Sequence, residues 1–111
     1  MSYLWAITPE KVRTAIQRII EVSRTRKLIL FGSYIRGNMN LNSDLDILVV
    51  TGDDIENPRK ESVRIRRALK GIVMSMDILV LQENKLKELT DAPGLIIREA
   101  LRNGKVVYES S

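Results

Sequence analysis

The sequence predicts an α/β (α+β) fold, a small mixed sheet flanked by helices, on three observations. Apolar runs of strand length alternate with segments whose apolar residues recur at helical spacing. The joins between them are short and carry Asn, Asp, Pro and Gly. With 111 residues, 44% hydrophobic and 29% charged, the chain can build one core and hardly a second, so one domain over residues 1–111 is expected.

Thr8-Pro9-Glu10 is a helix start, with a hydroxyl at the N-cap and proline at the first helical position. Val12, Ile16, Ile19 and Ile20 then form an apolar stripe, and the helix runs to about Arg24. Lys27 to Phe31 is a short apolar strand, and Gly32-Ser33 turns from it into a short helix. Asp44 to Val50 is a second strand, closed by Thr51-Gly52-Asp53-Asp54. Asn57-Pro58 opens a helix on which Ile65, Ala68 and Leu69 share a face; Gly71 ends it before a third strand, Val73 to Leu81. Pro93-Gly94 leads into a helix from about Leu95 to Asn103, stopped by Gly104, and Lys105 to Tyr108 is a last edge strand.

Composition removes several chemistries. There is no cysteine and no histidine, so disulfides, thiolates, the usual zinc sites and imidazole acid–base catalysis are excluded. Carboxylates, hydroxyls, amines and bound ions remain. The 18 Lys+Arg against 14 Asp+Glu, a formal +4, favours polyanionic ligands or acidic partners. Met1 to Ile7 lacks the basic flank and long apolar core of a signal peptide, and no apolar run approaches the roughly 20 residues that span a bilayer, so a cytoplasmic location is expected, with no membrane partner.

The informative stretch is "FGSYIRGNMNLNSDLDILVV", Phe31 to Val50. Strand side chains alternate faces, so Asp44 and Asp46 lie on one side while Leu45, Ile47 and Val49 point into the core. Asp77 repeats the anomaly inside the apolar run "IVMSMDILVL". Partly buried carboxylates that converge repel one another unless a cation neutralises them, and hard divalent ions with oxygen ligands, Mg²⁺ above all beside phosphate, suit such a set. Gly32 permits a tight turn with close backbone approach, and Ser33 opens a helix whose free N–H groups favour an anion. Asn38-Met39 stands where a Walker A loop needs Lys-Ser/Thr, which excludes the P-loop, and no Gly-x-Gly supports a dinucleotide fingerprint.

Gly-Ser after a strand, ten residues, Asp-x-Asp and a third aspartate on a later strand resemble the signature of the DNA polymerase beta type nucleotidyltransferase superfamily. "REALRNGKVVYE" is similar to the end of its minimal nucleotidyltransferase (MNT) members. The resemblance implies the polymerase beta type nucleotidyltransferase fold. Asp44, Asp46 and Asp77 would be the catalytic and metal-binding residues for two Mg²⁺ ions, with Mn²⁺ an alternative, and ATP the substrate. Gly32, Ser33, Arg36 and Ser43 would serve nucleotide and phosphate binding. Tyr34 departs from the pattern, since many relatives carry Arg directly after Gly-Ser.

The resemblance further implies the antitoxin of an MNT/HEPN toxin–antitoxin pair, which transfers AMP to a tyrosine of a HEPN ribonuclease toxin in a hetero-oligomer. Other readings stand beside these. Gly32-Ser33 taken alone is equally a strand-to-helix turn, Ser43 an ordinary turn serine, and Tyr3 and Trp5 packing residues. The helix from Pro58 to Lys70 carries Arg59, Lys60, Arg64, Arg66, Arg67 and Lys70, a pattern that is usually a solvated face, with nucleic acid a secondary partner. The alternative function is a non-catalytic binding module that neutralises a partner protein or binds nucleic acid by contact alone.

Overall fold

The computed structural model describes residues 6–37, 44–90, 100 and 102–110. The elements are α1 (Pro9–Val22), β1 (Thr25–Phe31), α2 (Ser33–Arg36), β2 (Leu45–Thr51), α3 (Pro58–Ala68), β3 (Met76–Gln82), α4 (Glu83–Thr90) and β4 (Lys105–Glu109). The starts of the two longest helices, α1 and α3, follow from their caps. Thr8 Oγ1 accepts from Lys11 N–H at 3.2 Å, and Asn57 Oδ1 accepts from Arg59 and Lys60 N–H at 3.1 and 3.2 Å. Proline follows each cap, where its missing N–H costs nothing.

The sheet is mixed, in the order β3-β2-β1-β4. β1 is antiparallel to both β2 and β4, and β2 is parallel to β3, with α3 as the crossover. Helices α1 and α3 cover one face, where Val12, Ala15, Ile19, Ile65 and Leu69 pack on Leu28, Leu30, Leu45, Ile47 and Val49. The other face has a smaller core of Ile29, Phe31, Leu48, Val50 and Ala100, with Leu79, Leu81 and Leu86 of β3 and α4 against it. β2 is therefore buried on both sides, which is why it reads as an unbroken apolar run after Asp46. Each fully buried Leu or Ile there contributes roughly 1.5–3 kcal/mol relative to an exposed one.

Several boundaries differ from the sequence reading. β3 begins at Met76 instead of Val73, because its ladder starts where its neighbour does: Leu45 pairs with Met76, and Val73 is 53% exposed. β1 extends back to Thr25, which pairs with Thr51, and α1 correspondingly stops at Val22, with Ser23 N–H bonded to Ile19 O at 3.0 Å. Helix α4 was not expected. Asp53 Oδ1 accepts from Asn84 N–H at 3.0 Å, so its start is fixed by a side chain about thirty residues away in sequence, which local pattern does not reveal. Of the expected helix from Leu95 to Asn103, Ala100, Arg102 and Asn103 are helical, and the rest lies outside the described residues. Tyr3 and Trp5 lie outside them as well. β4 forms at a sheet edge as expected, one residue longer, through Glu109.

Candidate active site

The three aspartates stand at the end of the sheet where β1 finishes and β2 and β3 begin. Asp46 pairs across the antiparallel ladder with Phe31 and across the parallel ladder with Asp77. Residues paired across a ladder share a face, and neighbouring strands lie roughly 4.8 Å apart. Asp46 and Asp77 thus stand side by side on the face of the smaller core, away from α1 and α3. Extending that register by one step sets Asp44 beside Ser75. The Ser75 hydroxyl donates to Asp44 Oδ1, and Leu45 N–H donates to Ser75 O at 2.9 Å, so the entry to β2 is clamped to the entry to β3.

Burial differs from the expectation. Asp46 is half-buried, but Asp44, one residue ahead of β2, and Asp77, on the edge strand, are exposed. The desolvation cost that pointed to a cation therefore falls on Asp46 alone and only in part. Among the described residues no three carboxylates converge closely enough to enclose an ion. The donor set is nevertheless chemically right for one, since all three groups offer hard oxygen ligands from one face and the strand register places two of them as direct neighbours.

Gly32 joins this row. Its backbone sits at φ 86°, ψ −161°, a region that only glycine enters freely. A Cβ there would overlap the Asp46 carboxylate. The missing side chain of Gly32 is thus the space Asp46 uses, which ties the Gly-Ser turn to the Asp-x-Asp strand physically. Ser33 follows, half-buried, as the first residue of α2; this helix lasts four residues and is closed by Gly37 in the left-handed region at φ 78°. Ser43 lies outside the described residues, and so does the side chain of Arg36, whose backbone ends α2. Ser75 is the site residue that sequence reasoning missed. Its signal was the two-residue spacing to Asp77, which mirrors that of Asp44 to Asp46, but only the parallel register makes it meaningful.

A Gly-Ser turn leaving one strand, beside carboxylates on the next two strands of a mixed sheet, is the arrangement that the resemblance to the nucleotidyltransferase fold implied. The sequence pattern of the family "Polymerase beta, Nucleotidyltransferase" matches residues 14–111, and the chain belongs to that family. No curated protein sequence matches the chain significantly. Among solved structures it is similar to a toxin–antitoxin crystal structure with AMP-PNP, at TM-score 0.59 and 21% identity over 95% of this chain and 76% of that one. It is similar also to a candidate nucleotidyltransferase from Sulfolobus solfataricus, at TM-score 0.62 and 19% identity over 90% and 78%. A candidate minimal nucleotidyltransferase matches at TM-score 0.56 and 24% identity over 89% and 95%. Identities at this level speak for the fold. No helix among the described residues is long and apolar enough to cross a membrane.

Proposed function

We propose that this chain is a single minimal nucleotidyltransferase domain that moves AMP from ATP to a hydroxyl of a partner protein. The observation that carries this reading is the row Gly32, Asp46, Asp77, with Asp44 one step along on the same face. Asp44, Asp46 and Asp77 would hold two Mg²⁺ or Mn²⁺ ions, which when bound supply charge neutralisation at the triphosphate and a lowered pKa at the acceptor hydroxyl. Asp44, whose Oδ1 accepts from the Ser75 hydroxyl, would offer its second oxygen.

The acceptor oxygen attacks the α-phosphorus as the bond to the β-phosphate bridging oxygen breaks. Pyrophosphate leaves with that electron pair, and Asp77, exposed at the sheet edge, takes the acceptor's proton. Gly32 and Ser33 would hold the leaving phosphates, with Arg36 and Ser43 as further nucleotide- or phosphate-binding residues, which is positioning work in the main.

The partner we propose is a HEPN ribonuclease toxin, modified on tyrosine and thereby silenced in the cytoplasm, with this chain as the antitoxin. Two similar structures support the direction. One is a toxin–antitoxin with AMP-PNP. The other is the toxin–antitoxin pair MntA–HpeT, at TM-score 0.57 and 18% identity, in a variant where two aspartates two residues apart became glutamate, the spacing of Asp44 and Asp46. Incubating the chain with ATP, Mg²⁺ and the product of the adjacent gene, followed by intact-mass spectrometry, is the test. The expected result is addition of adenylyl groups to the partner, at substoichiometric amounts of this chain, lost in Asp46→Asn. An unmodified partner that is neutralised only at a one-to-one ratio, including by Asp44→Ala/Asp46→Ala, would establish the binding-module alternative instead.

A further inference from the structure

Helix α3 carries a different chemistry on the opposite side of the sheet. Ile65 and Leu69 anchor it to the core shared with α1, whereas Asp46 and Asp77 face the other way. From Arg59 to Lys70 the segment has six cations, Arg59, Lys60, Arg64, Arg66, Arg67 and Lys70, and all are exposed. Its single acid, Glu61, is turned inward and only 7% exposed, 3.7 Å from Arg64. The solvent face is consequently of one sign. Among the described residues Arg59, Lys60, Arg67 and Lys70 have no ion-pair partner, and Arg66 reaches only the Ser62 hydroxyl, at 3.5 Å.

A one-signed face is well solvated, but it leaves like charges side by side with no acid between them. Here Lys60 and Arg64, and Arg64 and Arg67, stand three or four residues apart, so like charges neighbour each other along α3 and destabilise it, and Lys70 adds a further cation just past its C-terminal end. A polyanion offsets that repulsion. Of the polyanions, a protein surface would need an apolar anchor at the centre of the contact, and α3 offers only Val63, 46% exposed, with no aromatic residue. Four of the six cations are arginines, whose planar fork suits phosphate oxygens. The helix is 11 residues long, about 16 Å, enough to lie along several successive phosphates.

We propose that the outer face of α3 binds the phosphate backbone of a nucleic acid, without reading its sequence, at a surface separate from the Gly32, Asp46 and Asp77 row. The test is fluorescence anisotropy of labelled single-stranded RNA over a series of salt concentrations. If four to six of the cations each neutralise a phosphate, log K falls against log[salt] with a slope of about −3 to −4. The variant Lys60→Gln/Arg67→Gln/Lys70→Gln should weaken binding and make the slope shallower by about 2. Arg13→Gln/Lys87→Gln, exposed cations of α1 and α4, should leave the slope unchanged. In the wild-type chain, RNA should protect Lys60 and Lys70 from acetylation, a readout that needs no variant to fold.

Asp44→Ala/Asp46→Ala should bind RNA at least as tightly as the wild type, so nucleic-acid binding stands or falls apart from nucleotidyl transfer. Absence of binding at low salt, a slope that the triple variant does not change, or loss of binding in the aspartate variant overturns the proposal. So does capture by anionic vesicles or polyglutamate that RNA fails to compete away.

Discussion

Gly32→Ala tests the physical link between the Gly-Ser turn and the aspartates. The substitution acts twice. It forces an L side chain into φ 86°, ψ −161°, a strain on the order of 1–3 kcal/mol. It also drives a Cβ into the Asp46 carboxylate, and pushing that half-buried group out of place costs on the order of another 1–2 kcal/mol. Against a total stability of about 5–15 kcal/mol for a chain of this size, the sum lowers the urea midpoint by about 1–3 M.

Gly37→Ala is the internal comparison. Its φ of 78° is also strained, but a Cβ there meets open space, so only about 1–2 kcal/mol of backbone strain is expected. The overlap term is isolated by a double-mutant cycle, since Asp46→Ala removes the group that a methyl introduced at position 32 would strike. Gly32→Ala in the Asp46→Ala background should therefore cost about 1–2 kcal/mol less than in the wild type. Equal costs for the two glycines, together with zero coupling between positions 32 and 46, would refute the close approach of turn and carboxylate.

Asp46→Asn keeps shape while removing charge, so the thermal midpoint should move by a few degrees at most, while nucleotide transfer falls about a hundredfold or more; retained activity would remove Asp46 from the site. Ser75→Ala deletes the hydroxyl that holds Asp44, an exposed interaction worth about 0.5–1.5 kcal/mol; Mn²⁺ binding followed by electron paramagnetic resonance should weaken about two- to tenfold, and Ser75→Thr should restore it. Unchanged Mn²⁺ affinity would make that contact incidental. Asn57→Ala loses the cap on α3 and should destabilise by about 0.5–2 kcal/mol in urea unfolding, with Thr8→Ala behaving alike on α1.

Sequence alone determined what local chemistry determines. Thr8-Pro9 and Asn57-Pro58 announced two helices because a cap bonds to N–H groups two or three residues away. The two-residue period of a strand put Asp44 and Asp46 on one face before any neighbour was known. Tertiary structure alone decided which elements meet. The pairing of Asp46 with Asp77, the clamp of Ser75 on Asp44 and the lodging of the Asp46 carboxylate over Gly32 all cross from one strand to another. Strand pairing is chosen by burial of whole faces and leaves no local mark, and in β2, covered on both sides, even the alternation that marks a face is erased past Asp46. The placement of the α3 cations and the aspartates on opposite sides of the sheet has the same origin: a helix shows by its period which side it buries, but the strand face that receives it is settled only when the chain folds back.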